Sequence, residues 1–396
     1  MPSFEFFANS PREVGLDPQK VDALFDRAAR EVREGLLPSC QIAIARNGKI
    51  GAMRTFGRAT RAGTERLADN DTFYCVFSCT KAIISSAIWI LIGEGKLDVG
   101  ERAAAIVPEF GTNGKDAITV EQILLHTGGF PYAPYAQAEW MDRGKRLERF
   151  AKWRLEFEPG SRFMYHPTSG FWVLAEIIER RGGKDFRDFV RGRIAIPLGL
   201  PEMYVGLAPD LHHRVADIVH VGEPLSVAER QKLGFPEMPD AEVTEQLIEG
   251  FNSPVVRQSG VPGGGGIMTA GELALFYQGV MRNRGKDGAP LWKPEVLAEA
   301  MRPRSGDLTD PFLGHKVNRA LGVVIAGDDG KASFRGFGKT NSPGTFGHGG
   351  AGGQIGWGDP ASGISLGYCT NGFDRNEIRQ GRRGVAISSL AALCAA

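Results

Sequence analysis

Apolar residues recur with helical spacing at Val21, Leu24, Phe25, Ala28 and Val32, which predicts an amphipathic helix over residues 18–34. Alternation takes over at 41–45 and again at 50–56. Asn47-Gly48 between them is the signal of a two-residue hairpin turn. Helical periods then dominate, at 80–94, 120–125, 145–155, 170–180 and 186–194. Residues 222–251 are rich in acids and prolines with little periodicity and predict an excursion or lid. A glycine run after Pro262 leads into a helix over 270–282. Strand patterns follow at 320–326, 332–337, 354–357 and 364–370, and a last helix at 375–392. Strands at both ends with helices between them predict an α/β (α+β type) architecture. An antiparallel sheet flanked by helices would be built from residues 1–77 and 255–396, with the mainly helical stretch 78–254 inserted as a second domain.

Composition narrows the function. The 396 residues exceed the roughly 250–300 at which one core stops growing. Lys plus Arg (47) nearly cancel Asp plus Glu (46), which argues against nucleic acid or an anionic membrane as partner. The first 14 residues carry mixed charge and no apolar stretch, so no secretory signal is expected. The longest apolar run, 82–93, falls short of the roughly 20 residues of a membrane span. Cys40, Cys75, Cys79, Cys369 and Cys394 are odd in number and scattered, reading as reduced thiols of a cytoplasmic protein. His212 and His213 lack a partner at ligand spacing, so neither a metal nor another cofactor is expected.

Candidate chemistry begins at Ser78-Cys79-Thr80-Lys81, where an extended run meets an apolar helix. Residues three apart on a helix share a face, roughly 5–6 Å between Cβ atoms, so the lysine can reach the hydroxyl. A desolvated ammonium loses its proton readily, and the amine can then activate the serine. Two more elements lie downstream: Pro159-Gly160-Ser161-Arg162-Phe163-Met164-Tyr165, leading into a helix, and Gly347-His348-Gly349-Gly350, just ahead of a predicted strand. Other signals are weaker. Gly363-Ile364-Ser365-Leu366-Gly367 has the spacing of a nucleophile elbow, yet its flanks alternate as a continuing strand. Pro262 to Gly266 lacks the Gly-Lys-Ser/Thr of a phosphate loop. His126 reads as a hydrogen-bonder in the turn before Gly128, and Cys75 and Cys79 as packing residues. Tyr132, Tyr135, Trp140 and Trp153 read as helical core or, for Tyr132 and Trp140, as an apolar wall for the substrate.

The ordered set resembles the serine β-lactamase-like superfamily of class C β-lactamases, DD-peptidases and family VIII carboxylesterases, and most of all the last. Ser78-Cys79-Thr80-Lys81, Leu124-Leu125-His126-Thr127-Gly128-Gly129 and Pro159-Gly160 through Tyr165 carry the likeness. Pro197-Leu198-Gly199-Leu200, Pro262-Gly263-Gly264-Gly265-Gly266 and Phe346-Gly347-His348-Gly349-Gly350 complete it. The resemblance implies an acyl-enzyme on Ser78, with Lys81 and Tyr165 sharing its proton as a coupled pair. It further implies an oxyanion hole of the Ser78 and Ala351 amides, the latter on the strand after the glycines. His348, Gly349 and Gly350 would line the substrate site, with His348 contacting substrate or the Tyr165 oxygen.

Two departures bear on substrate. Pro167 stands where β-lactamases usually have an asparagine, and His348-Gly349-Gly350 replaces Lys-Thr-Gly. Each missing contact to an ionised group is worth about 1.5–3 kcal/mol. The expectation is a serine carboxylesterase acting on an uncharged small-molecule ester. Amide, peptide or β-lactam hydrolysis or acyl transfer at the same residues are the rivals. A non-catalytic binding homologue has no need of an activated hydroxyl.

Overall fold

The computed structural model describes residues 2–133, 137–232 and 244–396. Its centre is a seven-stranded antiparallel sheet of β1 (Ser39–Arg46), β2 (Lys49–Arg61), β3 (Thr64–Leu67), β4 (Val324–Ile325), β5 (Phe346–Gly350), β6 (Gln354–Asp359) and β7 (Ile364–Thr370). The spatial order is β3-β2-β1-β7-β6-β5-β4, so β1 pairs with β7 and joins the two ends of the chain. Asn47 and Gly48 both have positive φ (57° and 82°), as a two-residue hairpin turn between right-twisted strands requires.

Alternation along β1 divides the core. Ile42 and Ile44 face α1 (Pro18–Arg33) and α5 (Glu377–Ala392), packed with Leu24, Phe25, Trp357 and Ile387. Asp17 caps α1 through Gln19 N and Lys20 N, and Pro18 opens the helix where no amide is needed. Ala43 and Ala45 face α4 (Ala270–Arg282), the helix that crosses the other side of the sheet. Small residues set that approach: a Cβ on Gly367 of β7 would lie 2.1 Å from Ala270 O. The same apolar cluster continues into α2 (Thr80–Gly93) and α3 (Ser169–Gly182), so sheet and helical segment share one core.

Three predicted elements differ. Residues 332–337 form a single helical turn, Ala332–Arg335, because Gly330 and Gly336 bracket them at positive φ (72° and 88°) and leave no room for a strand. Over 320–326 only Val324–Ile325 is strand, because the chain folds back at Gly322, whose φ is 81°. Residues 186–194 split into a helix at Phe186–Val190 and a wide π-helical turn at Arg191–Ala195. Part of the 222–251 stretch, residues 233–243, lies outside the described residues. What precedes and follows it forms two helices, Val227–Lys232 and Glu245–Glu249. Among the described residues no helix is long and apolar enough to cross a membrane.

Candidate active site

Ser78 lies in a tight turn ahead of α2. The turn places Phe77 at φ 43°, a region that costs a bulky residue about 1–3 kcal/mol and persists only where packing enforces it. Here Phe77 is buried against Phe251 and Phe373, ring centroids 5.2 and 6.2 Å away. The amides of Cys79, Thr80 and Lys81 donate to the carbonyls of Val76, Phe77 and Ser78, whereas the Ser78 amide takes no part in these turn bonds. Because α2 is apolar around nearly its whole circumference, Lys81 is carried into the interior with no solvent exposure.

Lys81 Nζ has three partners: Ser78 Oγ at 3.2 Å, Pro167 O at 2.7 Å and Gly263 O at 2.6 Å. The two carbonyls accept two of its protons and direct its third position at the serine. An ammonium would donate there, and a neutral amine would accept the hydroxyl proton. Burial, helped by the Arg319 cation, holds the lysine well below its ordinary range and favours the amine. Tyr165 Oη donates to Ser78 Oγ at 2.9 Å. Burial pushes the phenol up to about 12, opposed by Arg319 and the Ser78 hydrogen bond, so it stays protonated at neutral pH.

Two buried histidines hold Tyr165 in place. His126 Nδ1 accepts the His166 amide at 3.1 Å, and its ring lies 4.6 Å from the Tyr165 ring. His166 Nε2 accepts the Phe130 amide at 3.1 Å while its Nδ1–H donates to Met164 O at 2.6 Å, which fixes one neutral tautomer. Burial lowers His166 to about 3 and His126 well below the ordinary imidazole value, so both stay uncharged. His126 is thus the structural turn residue expected from the sequence.

Opposite Ser78, His348 sits on β5, just ahead of β6 as the sequence predicts, and β5 is itself a strand that the sequence reading did not mark. Its Nδ1–H donates to Gly349 O at 2.7 Å, leaving Nε2 to accept from Arg319 Nη1 at 3.4 Å. The Tyr165 oxygen is not its partner; the two rings stand 6.0 Å apart. Burial and the Arg319 charge keep His348 neutral. The glycines around it are steric necessities: a Cβ on Gly350 would lie 2.3 Å from Val76 O, and one on Gly347 2.2 Å from Gly356 O. Ala351 opens the turn between β5 and β6 instead of lying on the following strand, because Gly352 and Gly353 reverse the chain there at positive φ.

Ser78, Tyr165, His348, Gly349, Gly350 and Ala351 therefore border one cavity of about 370 Å³. Trp140 does not. It stacks face to face on Trp172 with centroids 4.4 Å apart and is core, since burying two indoles outweighs exposing one. Tyr132 is half-exposed, its hydroxyl 3.7 Å from Met164 Sδ, and it lies away from the cavity lining as well. Tyr135 falls outside the described residues. The apolar wall is supplied instead by Phe163, Leu313, Val317 and Phe334. Ser365 is an interior strand residue, donating to Ala274 O at 2.7 Å and accepting from Gln278 at 3.0 Å. Cys75 and Cys79 are buried and burial raises both thiols, so neither is a reactive thiolate. No group of His, Cys, Asp and Glu that could hold a metal occurs among the described residues.

The sequence reading missed Arg319, which also borders the cavity and whose guanidinium lies 5.2 Å from the Phe163 ring centre and 5.3 Å from that of Tyr165. Its signal was a lone charge at the head of the apolar run 320–326. The absence of a lysine at position 348 thus does not leave the site without a fixed cation.

The chain is similar to several known proteins. "Esterase/beta-lactamase LipL" of Mycobacterium tuberculosis is 29% identical over 319 residues, 76% of this chain and 70% of that protein. A "Putative D-alanyl-D-alanine carboxypeptidase" of Escherichia coli is 25% identical over 92% of this chain and 85% of its own length. The crystal structure of a family VIII carboxylesterase superposes with a TM-score of 0.76 at 25% identity, covering 95% of this chain and 99% of its own. Residues 25–390 match the family model described as Beta-lactamase, and the chain belongs to that family as a serine hydrolase of the β-lactamase fold.

Proposed function

We propose that the protein hydrolyses carboxylic esters through an acyl-enzyme on Ser78. The observation that carries this reading is the convergence of Lys81 Nζ (3.2 Å) and Tyr165 Oη (2.9 Å) on one serine oxygen. Neutral Lys81, its own protons held by two backbone carbonyls, takes the hydroxyl proton as Ser78 Oγ attacks the ester carbonyl. The amides of Ser78 and Ala351 stabilise the developing oxyanion. Tyr165, protonated and bonded to the same oxygen, passes a proton to the departing alkoxide, and Lys81 and Tyr165 act as one coupled unit. Water then repeats the sequence on the acyl-enzyme. Support for an ester comes from Pro167, which brings a backbone carbonyl to Lys81 and no side-chain amide to a substrate, and from the esterase names among the relatives.

Amide or peptide hydrolysis at the same residues is the second reading, favoured by the carboxypeptidase name of the Escherichia coli relative. p-Nitrophenyl esters of rising chain length, assayed beside a chromogenic cephalosporin and a D-alanyl-D-alanine peptide, separate the two. Ester turnover that disappears in Ser78→Ala, with little cephalosporin or peptide turnover, is the expected result. Faster peptide or cephalosporin turnover than ester turnover overturns it. The cytoplasm is the compartment we propose, supported by five cysteines that are all unpaired thiols.

A further inference from the structure

A buried cation in a substrate cavity needs a counter-charge, since an uncompensated one costs several kcal/mol. Arg319 is 9% exposed and borders the cavity that holds Ser78. It forms no ion pair among the described residues. Its one side-chain hydrogen bond among the described residues is Nη1 to the neutral His348 Nε2, and that bond, with the flanking rings of Phe163 and Tyr165, fixes the guanidinium plane. Its remaining donors meet no acceptor among the described residues, and none of them is sealed away as a fully buried, unpartnered atom, so they open on the cavity. The acid nearest in effect, Asp310, lies on the same cavity but has Oδ1 committed to the amides of Phe312 and Leu313, at 2.9 and 3.1 Å. A planar fork with free N–H groups, immobilised by its neighbours, fits a carboxylate.

We propose that Arg319 is a specificity-determining residue that binds a carboxylate on the substrate, so that the preferred esters are anionic. The proposal rests on the ester-hydrolase reading for the reaction, and it reverses the expectation of an uncharged ester. The carboxylate belongs to either the acyl or the alcohol half, and two matched substrate pairs distinguish them. The acyl pair is the p-nitrophenyl monoester of glutaric acid against p-nitrophenyl pentanoate. The alcohol pair is 3-acetoxybenzoate against phenyl acetate.

In each pair the measured quantity is the ratio of kcat/KM, anionic over neutral, which cancels any loss of folded or active protein. A charged hydrogen-bonded contact predicts a preference on the order of tenfold to a hundredfold in one pair. That preference falls to near unity in Arg319→Met and is intermediate in Arg319→Lys, which keeps the charge and loses the fork. Calorimetric binding of glutarate and 3-hydroxybenzoate to the wild type and Arg319→Met gives a readout independent of turnover, with affinity expected to weaken at least about tenfold. No preference in either pair, or one that survives Arg319→Met, overturns the inference and leaves the esterase reading standing. Absence of any Ser78-dependent ester turnover sinks the esterase reading instead. The calorimetry then decides Arg319 alone, and unchanged affinity in Arg319→Met rejects it.

Discussion

Gly263→Ala tests whether the backbone clamp on Lys81 matters, and its neighbour supplies the control. A Cβ on Gly263 would sit 2.8 Å from Pro167 O, 3.3 Å from Thr168 Cα and 3.3 Å from Lys81 Nζ. The first two contacts are backbone, so no flexible side chain can move aside. Either the Gly263 or the Pro167 carbonyl must shift, and these are the two groups holding Lys81 at 2.6 and 2.7 Å. Losing one hydrogen bond to the neutral amine costs about 0.5–1.5 kcal/mol. Misplacing the base by about 1 Å lowers the rate by roughly 10²-fold. On Gly264 the same Cβ would meet nothing nearer than Phe251 Cζ at 3.7 Å, an ordinary contact. With a p-nitrophenyl ester as substrate, Gly263→Ala is expected to lose about 10²-fold in kcat and Gly264→Ala less than about threefold. Equal losses in the two variants, or near-wild-type turnover in Gly263→Ala, would refute the clamp.

Tyr165→Phe keeps the ring packed on His126 but removes the donor to Ser78. Steady-state kinetics should show kcat down by about 10²–10⁴-fold, with urea stability within about 1.5 kcal/mol of wild type; a change in KM alone contradicts the role. For Lys81 the folded-state pKa lies below its unfolded value of about 10.4. Between those two values the unfolded chain binds more protons, so that contribution to stability grows as pH rises. Wild type should therefore gain on Lys81→Met in urea unfolding between pH 6 and pH 9, and a pH-independent difference would show the lysine is not depressed. Ser365→Ala should keep its esterase activity while losing about 1–2 kcal/mol, since its hydroxyl only ties β7 to α4; loss of turnover would move the nucleophile there.

What could be read from the sequence was what repeats locally. Asn47-Gly48 announced the hairpin because both positions need positive φ, and the stripe from Val21 to Val32 marked the α1 face. The three-residue spacing of Ser78 and Lys81 foretold their contact, although Ser78 lies in the turn ahead of α2 and not on the helix itself. Contacts made by backbone were invisible: the carbonyls of Pro167 and Gly263 complete the lysine site, yet neither residue type advertises it. Arg319 escaped notice because the turn at Gly322, which breaks the predicted strand, could not be told from a strand by alternation alone. Of the two readings open for Trp140 the core one holds: proximity in sequence to the Gly128-Gly129 turn, on which the substrate wall rested, says nothing of which way a ring packs, and Trp172 claims its face.

The most direct test of the whole account is active-site labelling with an alkyl p-nitrophenyl phosphonate, followed by peptide mass spectrometry. One equivalent of phosphonyl group should be found on the peptide bearing Ser78, appearing in step with loss of ester turnover and absent from Ser78→Ala. Complete inactivation with that peptide unmodified, or with the label on Ser365, would contradict it.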